Sequence, residues 1–209
     1  MYRVRQAKAW MEETLAAMAT RLRLSSLYLK PLQRLRRTPP SRRLNLLFVC
    51  KGNICRSAYA EHRSRKLLAE RGIENIVVAS CGLEAIPDAP AYPSTRRVAR
   101  QRGLDLDAHK TQPVDTPLLN WADLIVVMEP AQLRRLRQYA PIFTYKTILL
   151  GALVLDPGGN LIIGDPWGKP DEEFEKCFDQ IDRALLVLAD QLPFIPGPPH
   201  RQRQHAGSA

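Results

Sequence analysis

The sequence predicts an α/β fold in which an open, four-stranded parallel sheet has helices on both faces. Four short apolar runs, typical of strands buried on both faces, are bounded by turn residues. Stretches with helical periodicity separate these runs, and such strand–helix alternation is typical of parallel sheets. The chain contains no internal repeat, so we expect one ordinary domain with additional segments at its ends.

Glycine and proline delimit the predicted helices. Gly72 and Gly103 close two of them, and Pro130 stands at the first position of a third. The predicted strands are Leu44–Val49, Ile76–Ala79, Asp123–Met128 and Thr147–Leu150, and the predicted helices are Ser57–Arg71, Pro93–Arg102, Pro130–Gln138 and Asp171–Gln191.

Charge divides the chain into three predicted regions. Residues 1–43 carry eleven Lys and Arg against two Asp and Glu, whereas residues 44–192 carry eighteen against nineteen. We therefore expect a basic, partly helical N-terminal extension over 1–43 and a nearly neutral domain over 44–192. Residues 193–209 are predicted to form a Pro-rich polar tail.

The N-terminal extension combines apolar residues at helical spacing with interspersed cations. This pattern predicts an amphipathic helix over roughly 5–29, with breaks at Pro31 and at residues 38–41. Helices of this kind bind acidic partners or the cytoplasmic face of a membrane, so we expect peripheral attachment through residues 1–43. The alternative is an extension that only contacts solvent.

Composition argues against several other classes of protein. No apolar run reaches the roughly 18 residues of a membrane span, and the N-terminus lacks the features of a secretory signal. Four cysteines are too few and too unevenly spaced for a disulfide framework, which favours the cytoplasm. Cys81 and Cys177 are solitary, so we expect no metal site and no cofactor. The neutral domain argues against nucleic-acid binding.

The most informative stretch follows the first strand, where Cys50 begins the sequence C-K-G-N-I-C-R-S. The loop leads directly into a helix N-terminus at the carboxyl edge of the predicted sheet, and its N–H groups and dipole favour a bound anion. Gly52 allows a tight turn, and Asn53 tolerates a left-handed conformation. Arg56 offers a planar fork for a tetrahedral oxyanion. The same field favours a thiolate at Cys50, which would be a nucleophile beneath a bound phosphate.

These motifs resemble the low-molecular-weight protein tyrosine phosphatases over about residues 44–192. A buried thiol pair, a disulfide or half of a zinc site would explain the two cysteines alone, but not the collinear motifs that follow them. The matching motifs are the loop Cys50–Ser57, A-E at Ala60–Glu61, S-C-G at Ser80–Gly82, H-K-T-Q-P at His109–Pro113, D-L-I-V-V-M at Asp123–Met128 and D-P-W-G at Asp165–Gly168.

The resemblance implies a metal-independent mechanism with a phosphocysteine intermediate. Cys50 would attack phosphorus, Arg56 would bind the phosphoryl oxygens, and Asp165 would act as general acid and then as general base. Asp156, also followed by proline, is the alternative acid, but the aromatic-Gly pair after Asp165 favours the latter. The implied phosphate-binding loop comprises Lys51, Gly52, Asn53, Ile54, Cys55, Arg56 and Ser57.

Other positions acquire supporting roles by the same resemblance. Ser80 and His109 would hold the strained loop together with Asn53, while Trp167 and Leu83 would form walls for the substrate ring. Cys55 matches the position that forms a reversible disulfide with the nucleophile in relatives. Cys81 and Cys177 are expected to be small buried residues.

Other functions with related loops stay open at this stage. An arsenate reductase would need further cysteines for a disulfide relay, with Cys81 the only candidate. A phosphoarginine phosphatase has a small hydroxylated residue at the position of Ile54. A non-catalytic phosphate-binding module would need neither the thiol nor the acid. The implied partner is a phosphotyrosine protein, for which a bacterial tyrosine kinase of polysaccharide export is the expected example.

Overall fold

The computed structural model describes residues 28–154 and 161–194, and it confirms the predicted fold class. Four parallel strands form a single sheet in the order β2-β1-β3-β4. The first strand of the chain is therefore central, and each connection crosses over the sheet. The strands are β1 (Leu44–Cys50), β2 (Ile76–Gly82), β3 (Leu124–Val127) and β4 (Thr147–Leu149).

Helices cover both faces of this sheet, which explains why its strands are apolar on both sides. Along β1, Leu46 and Phe48 join one apolar cluster, while Leu47 and Val49 join a second cluster on the opposite face. Helices α1 (Arg56–Glu70), α2 (Pro93–Gln101) and α5 (Asp171–Gln191) contribute to the first cluster, whereas α3 (Thr116–Trp121) and α4 (Pro130–Tyr139) contribute to the second.

The helix boundaries lie within one residue of those predicted, but α3 was missed. It has only six residues, too few to produce a recognisable periodic pattern. Asp115 caps it, because its side chain accepts a hydrogen bond of 2.7 Å from the N–H of Leu118. Two 3₁₀ helices, Pro141–Lys146 and Leu150–Leu153, flank β4 and were not predicted either.

The carboxyl ends of β1 and β2 correct the predicted strand boundaries. Cys50 is the last residue of β1 rather than the first residue beyond it, and it pairs with Gly82 at the end of β2. Strand β2 is three residues longer than predicted because its register with β1 continues through the polar Ser80. Both strands therefore end at the same level, at the edge of the sheet where the loop C-K-G-N-I-C-R-S begins.

The segment before β1 packs more closely on the domain than its basic composition suggests. Residues 28–35 are helical, so the predicted break at Pro31 is wrong. Leu32 and Leu35 are 1% and 8% exposed and belong to the first apolar cluster. Their burial outweighs the backbone hydrogen bond that proline cannot donate. Most of the predicted 5–29 helix, Asp156 and all but two residues of the predicted tail lie outside the described residues.

Within residues 28–154 and 161–194, no helix has both the length and the apolar character needed to cross a bilayer.

Candidate active site

The loop between β1 and α1 surrounds the sulfur of Cys50 with hydrogen-bond donors. The Asn53 backbone N–H donates to Cys50 Sγ at 3.3 Å, and the Ser57 hydroxyl donates at 3.0 Å. Asn53 has a φ of 58°, in the left-handed region that the sequence predicts for it. Donors that converge on a sulfur stabilise negative charge there, as an anionic nucleophile requires.

Arg56, the first residue of α1, is 1% exposed and is held from three directions. Its Nη1 donates to the Ile163 carbonyl oxygen at 3.2 Å and to Glu129 Oε1 at 3.3 Å. Its Nη2 lies 2.7 Å from Asp165 Oδ2. These protein contacts orient the guanidinium before any ligand binds, which reduces the entropic cost of binding an anion.

Nine residues line a cavity of about 210 Å³ at this edge of the sheet. Asp165 lies at its wall, and its Oδ1 accepts a 3.3 Å hydrogen bond from the N–H of Trp167. The Trp167 side chain is 61% exposed, so it can contact a ligand ring with little rearrangement. The lining comprises Cys50, Lys51, Gly52, Ile54, Cys55, Arg56, Glu84, Asp165 and Trp167.

Three residues that were predicted to bind the phosphate or to form a wall of the site do not line this cavity. Leu83 packs against the second apolar cluster, and Glu84 occupies the wall instead. Both residues lie in the turn after β2, where the N–H groups of Leu83 and Glu84 donate to the carbonyl oxygens of Cys50 and Lys51 at 3.0 and 2.8 Å and so fix the turn against the loop. Asn53 and Ser57 belong to the loop but are fully buried, and their side chains bond to other protein groups.

A buried polar network holds the loop from below. Asn53 Nδ2 donates to the hydroxyls of Ser57 and Ser80 at 2.9 and 2.8 Å. His109 Nε2 donates to the Asn53 carbonyl oxygen at 2.8 Å. These are the contacts expected from the sequence resemblance, and they fix the left-handed residue from both its side chain and its backbone.

Two further members of this network were missed by sequence reasoning. The Gln112 N–H donates to Asn53 Oδ1 at 3.0 Å, so both ends of the Asn53 amide are satisfied. Glu61 is 8% exposed and accepts from the Ser80 hydroxyl and from Arg65. Both lie in motifs that the sequence had singled out, yet a motif does not identify the partner of each side chain.

Gly82 allows the loop to approach β2 closely. A Cβ at this position would lie 2.8 Å from three backbone atoms of residues 51–53. Backbone atoms cannot move aside as a flexible side chain can, so any larger residue would displace the loop. The glycine is therefore required by packing against the loop and not by its own dihedral angles.

The other cysteines are buried free thiols. Burial raises the pKa of Cys55 to about 12, although its hydrogen bond with Thr95 acts in the opposite direction. Burial likewise raises the pKa of Cys81 and of Cys177 well above the ordinary thiol range. These three groups are therefore neutral near pH 7, unlike a nucleophilic thiolate.

Comparison with known proteins agrees with this geometry. The family model for low molecular weight phosphotyrosine protein phosphatase matches residues 45–193. The low molecular weight protein-tyrosine-phosphatase Wzb of Escherichia coli strain K12 is 33% identical over 148 residues, which is 71% of this chain and 95% of that relative.

Solved structures give the same result. Wzb of Vibrio vulnificus in complex with benzylphosphonate has a TM-score of 0.63 and 33% identity, and the match covers 71% of this chain and 99% of that one. YwlE arginine phosphatase, in a mutant with a phosphorylated active-site serine, has a TM-score of 0.66 and 26% identity, and the match covers 71% of this chain and 95% of that one.

A cysteine, an arginine and a carboxylate around one cavity at the edge of a parallel sheet are the groups that a cysteine-dependent phosphoric monoester hydrolase requires, and the relatives are named as enzymes of that class. The chain belongs to the low molecular weight phosphotyrosine protein phosphatase family. The predicted family and enzyme class are thereby confirmed.

Proposed function

We propose that this enzyme hydrolyses phosphotyrosine in proteins through a phosphocysteine intermediate on Cys50. The observation that carries the proposal is the composition of one cavity: Cys50, Arg56 and Asp165 line it together with the apolar side chain of Ile54 and the exposed Trp167. An aryl phosphate needs both an anion site and an apolar slot for its ring.

In the first step, Cys50 Sγ attacks phosphorus as the bond from phosphorus to the phenolic oxygen breaks. The guanidinium of Arg56 donates hydrogen bonds to two phosphoryl oxygens and stabilises the charge that develops on them. Asp165 donates its proton to the departing phenolate oxygen, so that tyrosine leaves as a neutral phenol.

In the second step, water attacks the phosphocysteine and the sulfur–phosphorus bond breaks. Asp165, now a carboxylate, accepts a proton from the attacking water, and Cys50 leaves as a thiolate next to the Ser57 hydroxyl and the Asn53 N–H. The products are inorganic phosphate and the starting enzyme. The phosphorylated active-site serine of the arginine phosphatase mutant supports a covalent intermediate at this position.

The preferred leaving group is tested by comparing three phosphopeptides of matched sequence. We expect phosphotyrosine to be hydrolysed far faster than phosphoserine or phosphoarginine, because Ile54 and Trp167 contact an aromatic ring but offer no hydrogen bond to a guanidinium. Release of inorganic phosphate measures each rate. Preferential hydrolysis of phosphoarginine would instead place the enzyme with the arginine phosphatases.

The protein substrate is proposed to be a bacterial tyrosine kinase of polysaccharide export. The family resemblance supports this choice, and relatives named Wzb and EpsP are tyrosine phosphatases of the same size class. Such a kinase would present phosphotyrosine on an accessible segment, as an open cavity at the sheet edge requires.

The basic extension is proposed to attach the enzyme to an anionic membrane surface. Cations near such a surface contribute about 1 kcal/mol each to binding. Deletion up to Ser41 would be a poor test, because it would also remove the buried side chains of Leu32 and Leu35. Substitution of cations within the full chain avoids that problem.

We therefore expect a variant with glutamine at five N-terminal cations to lose attachment without losing activity. The wild type should sediment with anionic liposomes and be released by salt, whereas the variant should stay in the supernatant and hydrolyse an aryl phosphate at the wild-type rate. Equal sedimentation of the two proteins would contradict the proposal. The substituted residues are Arg3, Arg5, Lys8, Arg21 and Arg23.

A further inference from the structure

Three charged side chains, which we name the charged rim, lie at the mouth of the cavity. Lys51 follows the nucleophile in the loop, Glu84 lies just beyond β2, and Arg135 extends from α4. Lys51 Nζ is 3.7 Å from Glu84 Oε2, and Arg135 Nη1 forms an ion pair with Glu84 Oε1. Three separate parts of the fold thus bring their charges to one place.

The charged rim has more positive than negative charge. Glu84 is the only carboxylate paired with either cation among the described residues, so one negative charge faces two positive ones. The Lys51 and Arg135 side chains are 63% and 53% exposed, compared with 39% for Glu84. The cations therefore present their charge to solvent more fully than the carboxylate between them.

Two other carboxylates, Asp165 and Glu129, pair with the buried guanidinium of Arg56 instead of with the cations of the rim. Asp165 is protonated when it acts as general acid, so in the productive complex Glu129 and Arg56 balance each other and the rim keeps its one excess positive charge. Lys51 and Glu84 line the cavity itself, and Arg135 contacts Glu84. A ligand that fills the cavity therefore passes the cationic charge of the rim.

We infer that the charged rim selects phosphotyrosines that have acidic residues beside them in the sequence. The inference rests on the proposed function, because it concerns the peptide that carries the phosphotyrosine. Neighbouring Cα atoms are about 3.8 Å apart, so when the phosphorylated ring is in the cavity the flanking residues must lie at its mouth. Aspartate or glutamate there pairs with Lys51 or Arg135, whereas lysine is repelled.

The test compares three phosphotyrosine peptides that differ only at the two residues on each side of the phosphotyrosine, which are aspartate, alanine or lysine. For wild-type enzyme at low salt, kcat/KM should be highest for the aspartate peptide and lowest for the lysine peptide. Exposed ion pairs change such ratios by about two- to fivefold each. High salt should reduce the difference because it screens exposed charges.

Two substitutions of the rim should change the preference in opposite directions. Arg135→Gln should reduce the ratio of kcat/KM for the aspartate peptide to that for the lysine peptide by about two- to fivefold. Glu84→Gln should increase the same ratio, since it removes the one negative charge of the rim. General damage to the cavity would not reverse the sign between these two variants.

Arg137→Gln is the matched control on the same helix. Arg137 lines a separate groove with Tyr28 and Tyr145, so its loss should leave the ratio unchanged. Equal ratios in wild type, Arg135→Gln and Glu84→Gln, with phosphotyrosine still hydrolysed, would overturn the inference alone. Failure of the wild type to hydrolyse any of the phosphotyrosine peptides would overturn the proposed function and the inference with it.

Discussion

Cys50→Ser should reduce the hydrolysis of aryl phosphates by at least about 10³-fold, as loss of a covalent nucleophile does in other enzymes. A hydroxyl is a far weaker nucleophile than a thiolate. The two hydrogen-bond donors around Cys50 Sγ are not sufficient to convert the hydroxyl of the substituted serine into an alkoxide. Inorganic phosphate or vanadate should still bind, because Arg56 and the loop N–H groups are unchanged. Steady-state rates and calorimetric titration measure the two effects separately.

Cys81→Ala is the control for this substitution. Cys81 is also a buried thiol, but it belongs to the apolar cluster on the other face of the sheet. Its removal should leave most of the activity in place, with only a small loss of stability. If Cys50→Ser kept more than a few per cent of wild-type activity, covalent catalysis by this residue would be wrong.

Asp165→Asn should slow the reaction by an amount that depends on the leaving group. General acid catalysis contributes roughly 10²–10⁴-fold, and its contribution is largest when the leaving oxygen is most basic. Phosphotyrosine and phenyl phosphate should therefore lose the most, whereas an ester with a strongly acidic phenol should lose little. Asparagine has nearly the same shape, but it can neither carry the charge that pairs with Arg56 nor donate an acidic proton to the leaving group.

The alternative acid provides the control for Asp165. Asp156→Asn should leave the rates near those of the wild type for every leaving group. A loss of rate from Asp165→Asn that is the same for all leaving groups would indicate a role in binding alone. A larger loss from Asp156→Asn would assign general acid catalysis to that residue instead.

The amino-acid sequence alone predicted the parts of this protein that depend on local pattern. Short apolar runs produced the four strands, because a strand covered on both faces is apolar throughout. Glycines 72 and 103 end their helices with φ of 63° and 69°, as the positions predict. The loop from Cys50 to Ser57 was recognisable because its residues are adjacent in the sequence, and because residue types such as glycine, arginine and cysteine suit the turn, the bound anion and the nucleophile that the loop requires.

Contacts between residues far apart in the chain were decided only by the tertiary structure. Arg56 is held by Glu129 and by the Ile163 carbonyl, which are 73 and 107 residues further along the chain. No periodic pattern in the sequence identifies partners at such separations. Glu84 rather than Leu83 lines the cavity, and the turn that contains both residues is held by backbone hydrogen bonds to Cys50 and Lys51, more than 30 residues earlier in the chain. Helix 28–35 packs on the domain because Leu32 and Leu35 find an apolar surface there, and that surface exists only after the distant helices and strands have assembled.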